Sequence, residues 1–333
     1  MHNMGRTCIM VPLPDTKIER LFHAGSAELP QAPPFCVHLV DSAAAAAAAI
    51  TAARALSAGR VLLVTPDSQL AETVYEDLGA LSDCFGEERE LTYIPQVETA
   101  RQSWIPENEA VRCASLQKIM DGAGGVYVSS VTGVLSDVVA PGDFDALSFQ
   151  IRIGQRGIQP QSLAERLTVL DYDNEVEVDM PGEFAVRGGI LDVYSPLYEA
   201  PARIEFFGDT VDTVRFFDPR TQCSYESVDE IRVIPRGDSV LTPSNQAVPL
   251  HTYFSGDPVI IFSPPQCREH LASFCSREVC RAWENLLEER QNDIVALREE
   301  FSAPAVPFPS DAPACRPDIR TLRDILPSFP ADL

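Results

Sequence analysis

The stretch from Pro181 to Pro219 reads PGEFAVRGGILDVYSPLYEAPARIEFFGDTVDTVRFFDP, and its punctuation decides the fold of the middle of the chain. Four short runs alternate apolar and polar residues: Glu183–Arg187, Ile190–Tyr194, Arg203–Phe207 and Val211–Phe217. A period of two sends successive side chains to opposite faces of a strand. Gly188-Gly189 and Gly208-Asp209 separate neighbouring runs, and they supply the positive φ that two-residue hairpin turns require. The stretch therefore predicts a small curved antiparallel sheet with one buried face.

On either side of it the pattern changes. From Phe35 to about Ala140, strands alternate with helices. Phe35–Val40 is an apolar strand. Asp41-Ser42 cap an alanine-rich helix to about Ser57, and Arg60–Thr65 is a second buried strand. A helix follows over Gln69–Leu81, then a strand at Leu91–Ile94, a helix at Asn108–Met120 and a strand at Val126–Ser130, with a further helix starting over Val131–Val138. Such alternation implies βαβ units and a parallel sheet. Pro141-Gly142 marks a boundary. Beyond it come a strand (Ala146–Ile153), a helix (Gln161–Leu170) and the hairpins, to about Arg236. The α/β style then resumes with a strand at Pro258–Phe262 and a helix at Pro265–Phe274. An amphipathic helix over Val279–Phe301 carries Trp283, Leu286, Leu287, Ile294 and Leu297 on one stripe. Residues 1–35 form a loosely packed lead-in, and the prolines from Pro304 to Pro330 predict a linker-like tail.

Charge narrows the function. The 333 residues carry a formal net charge of −23, and only Lys17 and Lys118 are lysines. A chain this acidic repels the phosphate backbone, which argues against broad DNA binding and suits a basic protein partner or simple solubility. No segment approaches the roughly 20 apolar residues of a membrane-spanning helix, and the start has no signal-peptide pattern, so the expectation is a cytoplasmic protein. Nine scattered cysteines without a CxxC suit reduced thiols. Cys267, His270, Cys275 and Cys280 could offer soft ligands to zinc, but their spacing matches no common module and the segment reads as helix, so no metal is expected.

The α/β pattern invites an ATPase reading, which counting tests. A phosphate-binding loop needs a Gly-Lys pair, and Thr16 precedes Lys17 while Gln117 precedes Lys118. The turn after Arg60–Thr65 is Pro66-Asp67-Ser68, with a carboxylate where phosphate would sit. Gly122–Gly125 is glycine-rich but precedes a strand, as a helix end and turn would. Asp229-Glu230-Ile231-Arg232, the nearest approach to a magnesium box, falls in the antiparallel region. No histidine accompanies a nucleophile elbow, and Cys36-Val37-His38 is a chance pairing on a buried strand. No catalytic residue and no cofactor are expected.

The segments FAVRGGILDV (Phe184–Val193), RIEFFGD (Arg203–Asp209) and FDP (Phe217–Pro219) closely resemble the UvrA-binding domain shared by the excision-repair UvrB proteins and the transcription-repair coupling factors. Trp104–Glu109 with Arg112, and Gly125–Val131, are similar to the coupling-factor version. The resemblance spans roughly residues 55–236. It implies an α/β plus α+β fold in which two helicase-like α/β lobes without a P-loop flank an antiparallel UvrA-binding domain. The lobes would occupy 1–140 and 237–302, the UvrA-binding domain 141–236 and a Pro-rich linker 303–333. The implied function is a non-catalytic module that binds UvrA and brings excision repair to a stalled RNA polymerase. Contacts to polymerase and DNA would belong to other domains of a longer parent, as if this chain were cut from one. The alternative is a vestigial helicase half that completes a nucleotide or DNA site with another chain.

The resemblance also implies site residues. Arg187 stands where the family's arginine contacts UvrA, and a guanidinium at a hairpin bend can grip a partner carboxylate through two hydrogen bonds. Alternatively it pairs with Glu183 or Asp192 across its own sheet. Phe184 is an aromatic anchor or a core side chain. Ala185 and Asp173 stand where UvrB-like sequences carry basic residues, so both remove positive charge from the expected interface.

Overall fold

The computed structural model describes residues 8–10, 35–39, 59–85, 90–97, 106–237, 247–290 and 293–299. The helix expected over 41–57, most of the lead-in and the tail at 303–333 lie outside them. Strands β1 (Cys8–Met10), β2 (Phe35–Leu39) and β3 (Arg60–Thr65) lead to helix α1 (Ser68–Phe85), strand β4 (Leu91–Tyr93), helix α2 (Pro106–Met120) and strand β5 (Gly125–Ser130). Next come α3 (Val131–Leu135), β6 (Asp137–Val139), α4 (Pro141–Leu147), β7 (Phe149–Arg152) and α5 (Pro160–Val169). Strands β8 (Asp173–Asn174), β9 (Glu183–Arg187), β10 (Ile190–Val193), β11 (Ala202–Phe207), β12 (Thr210–Phe217), β13 (Ser224–Ser227) and β14 (Glu230–Val233) follow. The last described elements are β15 (Ala247–Pro249), a 3-10 turn (Leu250–Phe254), β16 (Val259–Phe262), α6 (Pro264–Phe274), α7 (Arg277–Glu289) and β17 (Ile294–Glu299).

The chain divides into two compact units, one of Met1–Ile94, Ala123–Leu135 and Phe254–Leu333, the other of Pro95–Gly122 and Ser136–Tyr253. The first holds a seven-stranded sheet in the order β1-β2-β17-β16-β3-β5-β4, with every pair parallel. Val61 to Val64 and Val259 to Phe262 are buried throughout, as parallel strands covered on both faces must be. Helix α1 buries Ala71, Val74 and Leu78, a stripe at helical spacing.

Two expectations change here. The strands expected for separate lobes lie in one sheet, because β16 and β17 insert between β2 and β3. The helix expected over Val279–Phe301 ends at Glu289, and Ile294 and Leu297 belong to β17. Their run, Ile294–Leu297, is continuously apolar, and periodicity does not separate a buried strand from a buried helix in so short a window. Trp283 and Leu286 remain the buried stripe of α7.

The second unit is α+β. Its main sheet runs β13-β12-β11-β10-β9-β8, antiparallel except where β8 pairs β9, and β7 pairs β14 in a separate two-stranded sheet. One face of the main sheet supplies Phe184, Leu191, Val193, Ile204 and Val214 to a core shared with Leu163 and Leu167 of α5 and with Ile151 and Ile231 of the small sheet. The strand expected at Ala146–Ile153 is shorter, because Pro141 starts α4 and that helix runs on to Leu147. The helix starting at Val131 likewise ends at Leu135, and β6 follows.

Candidate functional site: the outer face of the antiparallel sheet

The β9–β10 hairpin turns at Gly188, whose φ of +61° is a left-handed conformation that side chains with a Cβ disfavour. Its register sets Arg187 opposite Ile190, Ala185 opposite Asp192 and Phe184 opposite Val193. Asp192 in turn faces Arg203 on β11, and Arg203 faces Arg215 on β12. Alternation therefore sends Phe184 to the core face, and Ala185, Arg187, Asp192, Arg203 and Arg215 to the other.

That outer face is built around one buried carboxylate. The Asp192 side chain is only 1% exposed and receives two guanidinium groups. Arg203 grips it with both Nε (2.7 Å) and Nη2 (2.9 Å). Arg203 also donates to the Gln222 carbonyl and side chain at 3.2 and 3.1 Å, and its Cζ lies 4.4 Å from the centre of the Phe217 ring. The hydrogen bonds to Asp192 hold the Arg203 guanidinium above its ordinary pKa. Arg187 reaches the same carboxylate through a single Nη2 contact of 2.6 Å, and its side chain is 46% exposed. Arg215 pairs with Glu205, which also accepts from Thr213.

The sequence-predicted residues thus occupy different surroundings. Arg187 is at the surface and pairs across its own sheet with Asp192, one of its two sequence-level readings. Phe184 is a core side chain and not an exposed anchor, since its register position faces α5. Ala185 is also buried, in a small cluster with Val178, Phe217 and Tyr194. The segment carrying Val178 is fastened over the sheet, because one Glu183 carboxylate oxygen accepts from the Asp179 and Met180 amides at 2.8 and 2.9 Å. Asp173 is exposed but ion-paired with the buried Arg236, which also donates to the Asp171 carbonyl. Arg236 lies so close to Gly182, at φ +90°, that a Cβ there would meet its Cδ at 2.4 Å.

Sequence reading overlooked an exposed aromatic. Phe207 is 84% exposed at the end of β11. The Phe206 amide donates to the Gly189 carbonyl at 2.8 Å, which ties that strand end to the Arg187 hairpin. The signal was present in Phe206-Phe207-Gly208-Asp209, since two consecutive aromatics on a strand cannot both face the core.

Elsewhere, the turn after β3 is occupied by the chain itself. Asp67 Oδ1 accepts from the Leu70 amide at 2.8 Å and its carbonyl accepts from Ala71, so this carboxylate caps the N-terminus of α1. A phosphate would compete there with a resident negative charge. Cys267 is buried against the Phe262 carbonyl, and burial pushes its thiol up to about 12. Among the described residues, no three His, Cys, Asp or Glu side chains converge on a metal-sized site, and no helix is long and apolar enough to cross a membrane.

Residues 149–238 match the family described as the UvrB interaction domain. The chain is similar to a transcription-repair-coupling factor of Myxococcus xanthus (42% identical over 97 residues, 29% of this chain and 8% of the relative). It is similar to one of Bacillus subtilis at 29% over 199 residues, covering 59% of this chain and 16% of the relative. The UvrABC system protein B of Thermotoga neapolitana matches at 22% over 260 residues, 74% of this chain and 37% of the relative. The chain is therefore similar over residues 149–238 to the UvrB interaction domain and, more widely, to coupling factors and UvrB proteins alike, and its matches span well under half of these relatives' lengths.

Proposed function

We propose that this chain is a non-catalytic docking module that binds UvrA through the outer face of its antiparallel sheet, and that within a longer coupling factor it brings UvrA to a stalled RNA polymerase in the cytoplasm. The observation that carries the reading is the coincidence of the UvrB interaction domain match with the sheet that presents Arg187. Arg187 is the anchor: it is half exposed, and Arg203 continues to neutralise Asp192 when Arg187 turns outward to a partner carboxylate. Phe207 adds an apolar contact beside the same hairpin, as aromatic side chains commonly do at interfaces. Phe184 supports this face from beneath, and Ala185 lies on it under Val178 and Phe217. Asp173, held by Arg236, contributes an acidic rim in place of a second cation. The parallel sheet serves as a helicase-like scaffold without a nucleotide site, consistent with the Asp67 cap at the turn where phosphate would lie.

Titrating purified UvrA into this chain by calorimetry tests the proposal. Saturable binding that weakens on Arg187→Ala supports it. Equal affinity of wild type and Arg187→Ala removes the assigned anchor, and no detectable binding overturns the function.

A further inference from the structure

The parallel sheet has a switch point between two adjacent strands. Strand β3 connects through α1 toward β4, at one end of the strand order, while β16 connects through α6 and α7 to β17 on the other side. Neighbouring parallel strands whose connections part in this way leave a crevice at their carboxyl ends, the usual place for a ligand in an open α/β sheet. Ile261 pairs with Val64, so the two strand ends run on in step and bring Ser263 beside Pro66 and Asp67. Cys267, in the first turn of α6, feels the same approach: burial raises its thiol pKa to about 12, and the charge of Asp67 adds to the rise.

Among the described residues, Asp171, Gln222 and Ser263 are the non-glycine positions with left-handed backbone. Arginines hold the first two, since Arg236 donates to the Asp171 carbonyl at 3.1 Å and Arg203 to the Gln222 carbonyl at 3.2 Å. Ser263, at φ +44° and ψ 68°, has no such clamp, and its carbonyl accepts the Cys267 amide of its own helix. The residue is only 6% exposed, yet its hydroxyl caps nothing, makes no hydrogen bond and stays reachable from solvent. Backbone strain and an unmet hydrogen bond therefore coincide at the switch point.

We propose that this crevice binds a primary ammonium group on a slender alkyl chain, which donates to Ser263 Oγ and to the carboxylate of Asp67. Asp67 Oδ1 accepts from the Leu70 amide at 2.8 Å, which leaves Oδ2 for the ligand. The sign of the ligand's charge follows from the lining. Pro264 and Pro265 open α6 without N–H groups, so this helix start lacks the amides that would hold an anion. Asp67 is the single charge in the turn Pro66–Gln69 and the helix start Ser263–Cys267, and α3, which packs against β3 and α6, is uncharged. Arg268, the next residue of α6, is taken up by Glu284. Two side-chain oxygens fall short of the six or more that a calcium ion takes, whereas an ammonium has three protons to place. The burial of Ser263 admits a slender chain, such as a small alkylamine or a lysine side chain, and excludes a bulky one.

Titration with butylamine, followed by NMR at the Leu70 and Cys267 amides, tests the site, because these amides donate to Asp67 Oδ1 and to the Ser263 carbonyl. At constant pH and ionic strength both should shift saturably, with a dissociation constant on the order of 1–10 mM for a ligand of this size. The neutral analogue butan-1-ol should bind at least about fivefold more weakly. Asp67→Asn keeps the helix cap, since Asn caps as well as Asp, and should weaken butylamine by at least about fivefold. Glycine accepts the left-handed backbone at position 263, so Ser263→Gly should be at least as stable as wild type in thermal unfolding. Its butylamine affinity should nonetheless fall at least about threefold, which reports the hydroxyl and not the fold. N-acetyl-lysine N-methylamide separates the sources: binding like butylamine assigns the crevice to a protein lysine, exclusion assigns it to free amines, and either supports the site. No saturable shift with butylamine overturns the proposal, as does equal binding of amine and alcohol or an unchanged butylamine affinity in Asp67→Asn or in Ser263→Gly.

Discussion

The parallel and the antiparallel sheets use similar strand lengths to opposite ends. In the parallel sheet, β3 and β16 bury nearly every side chain, and the turn after β3 satisfies its helix end with its own Asp67. In the antiparallel sheet, β12 buries only Val211, Val214 and Phe217, and the sheet places Arg187, Arg203 and Arg215 with Asp192 and Glu205 on its other face. Groups able to recognise a partner can project only from strands that keep one face uncovered. The first sheet is thus a scaffold and the second a scaffold on one face and a reader on the other.

The largest effects should separate stability from recognition. Leu63→Ala, in the middle of β3, should cost about 2–5 kcal/mol through lost burial and a residual cavity, and should leave the UvrA affinity of the folded protein unchanged. Asp192→Ala should cost about 3 kcal/mol, since it strips a buried carboxylate from two arginines, and should also weaken UvrA binding. Urea unfolding paired with calorimetry measures both. Unchanged UvrA binding in Asp192→Ala would break the contrast between the sheets.

A smaller effect sharpens the picture of the outer face. Ala185→Arg would restore positive charge on paper, yet the space above Ala185 is filled by Val178 and Phe217. Overpacking there should cost about 1–3 kcal/mol, seen as a lowered unfolding midpoint. Full stability together with tighter UvrA binding would mean that the Val178 segment yields readily. Arg187→Ala should act the other way round. Its effect on stability should be small, and its UvrA affinity should fall at least tenfold, which corresponds to about 1.4 kcal/mol. Smallest of all, Asp67→Ala should cost about 1 kcal/mol as a lost helix cap. Equilibrium dialysis should find no Mg-ATP bound before or after that substitution.

The antiparallel strands were legible because period-two alternation and the Gly188-Gly189 and Gly208-Asp209 pairs agree with one another. The hairpin register that follows from them already puts Asp192 within reach of Arg187. Three features were not legible, each for a physical reason. The share of Arg203 in Asp192 depends on pairing across a longer connection, whose length does not fix register. The burial of Ala185 depends on a loop segment that folds back to seat Val178, and loops carry no periodicity. The strand at Ile294–Glu299 was hidden because a continuous apolar run satisfies helix and buried strand alike, and only its neighbours β2 and β16 choose between them.

The strand order of the parallel sheet also carries a consequence for how the protein is made. Strand β17 lies between β2 and β16, so β2, paired early with β1, waits for its second neighbour until Glu299 has been synthesised. At about 5–20 residues per second, that interval lasts on the order of tens of seconds. The antiparallel sheet is complete once Ser227 has emerged, and its strands pair mostly with neighbours in sequence. The reader therefore has the means to fold first on the ribosome, while the scaffold closes last.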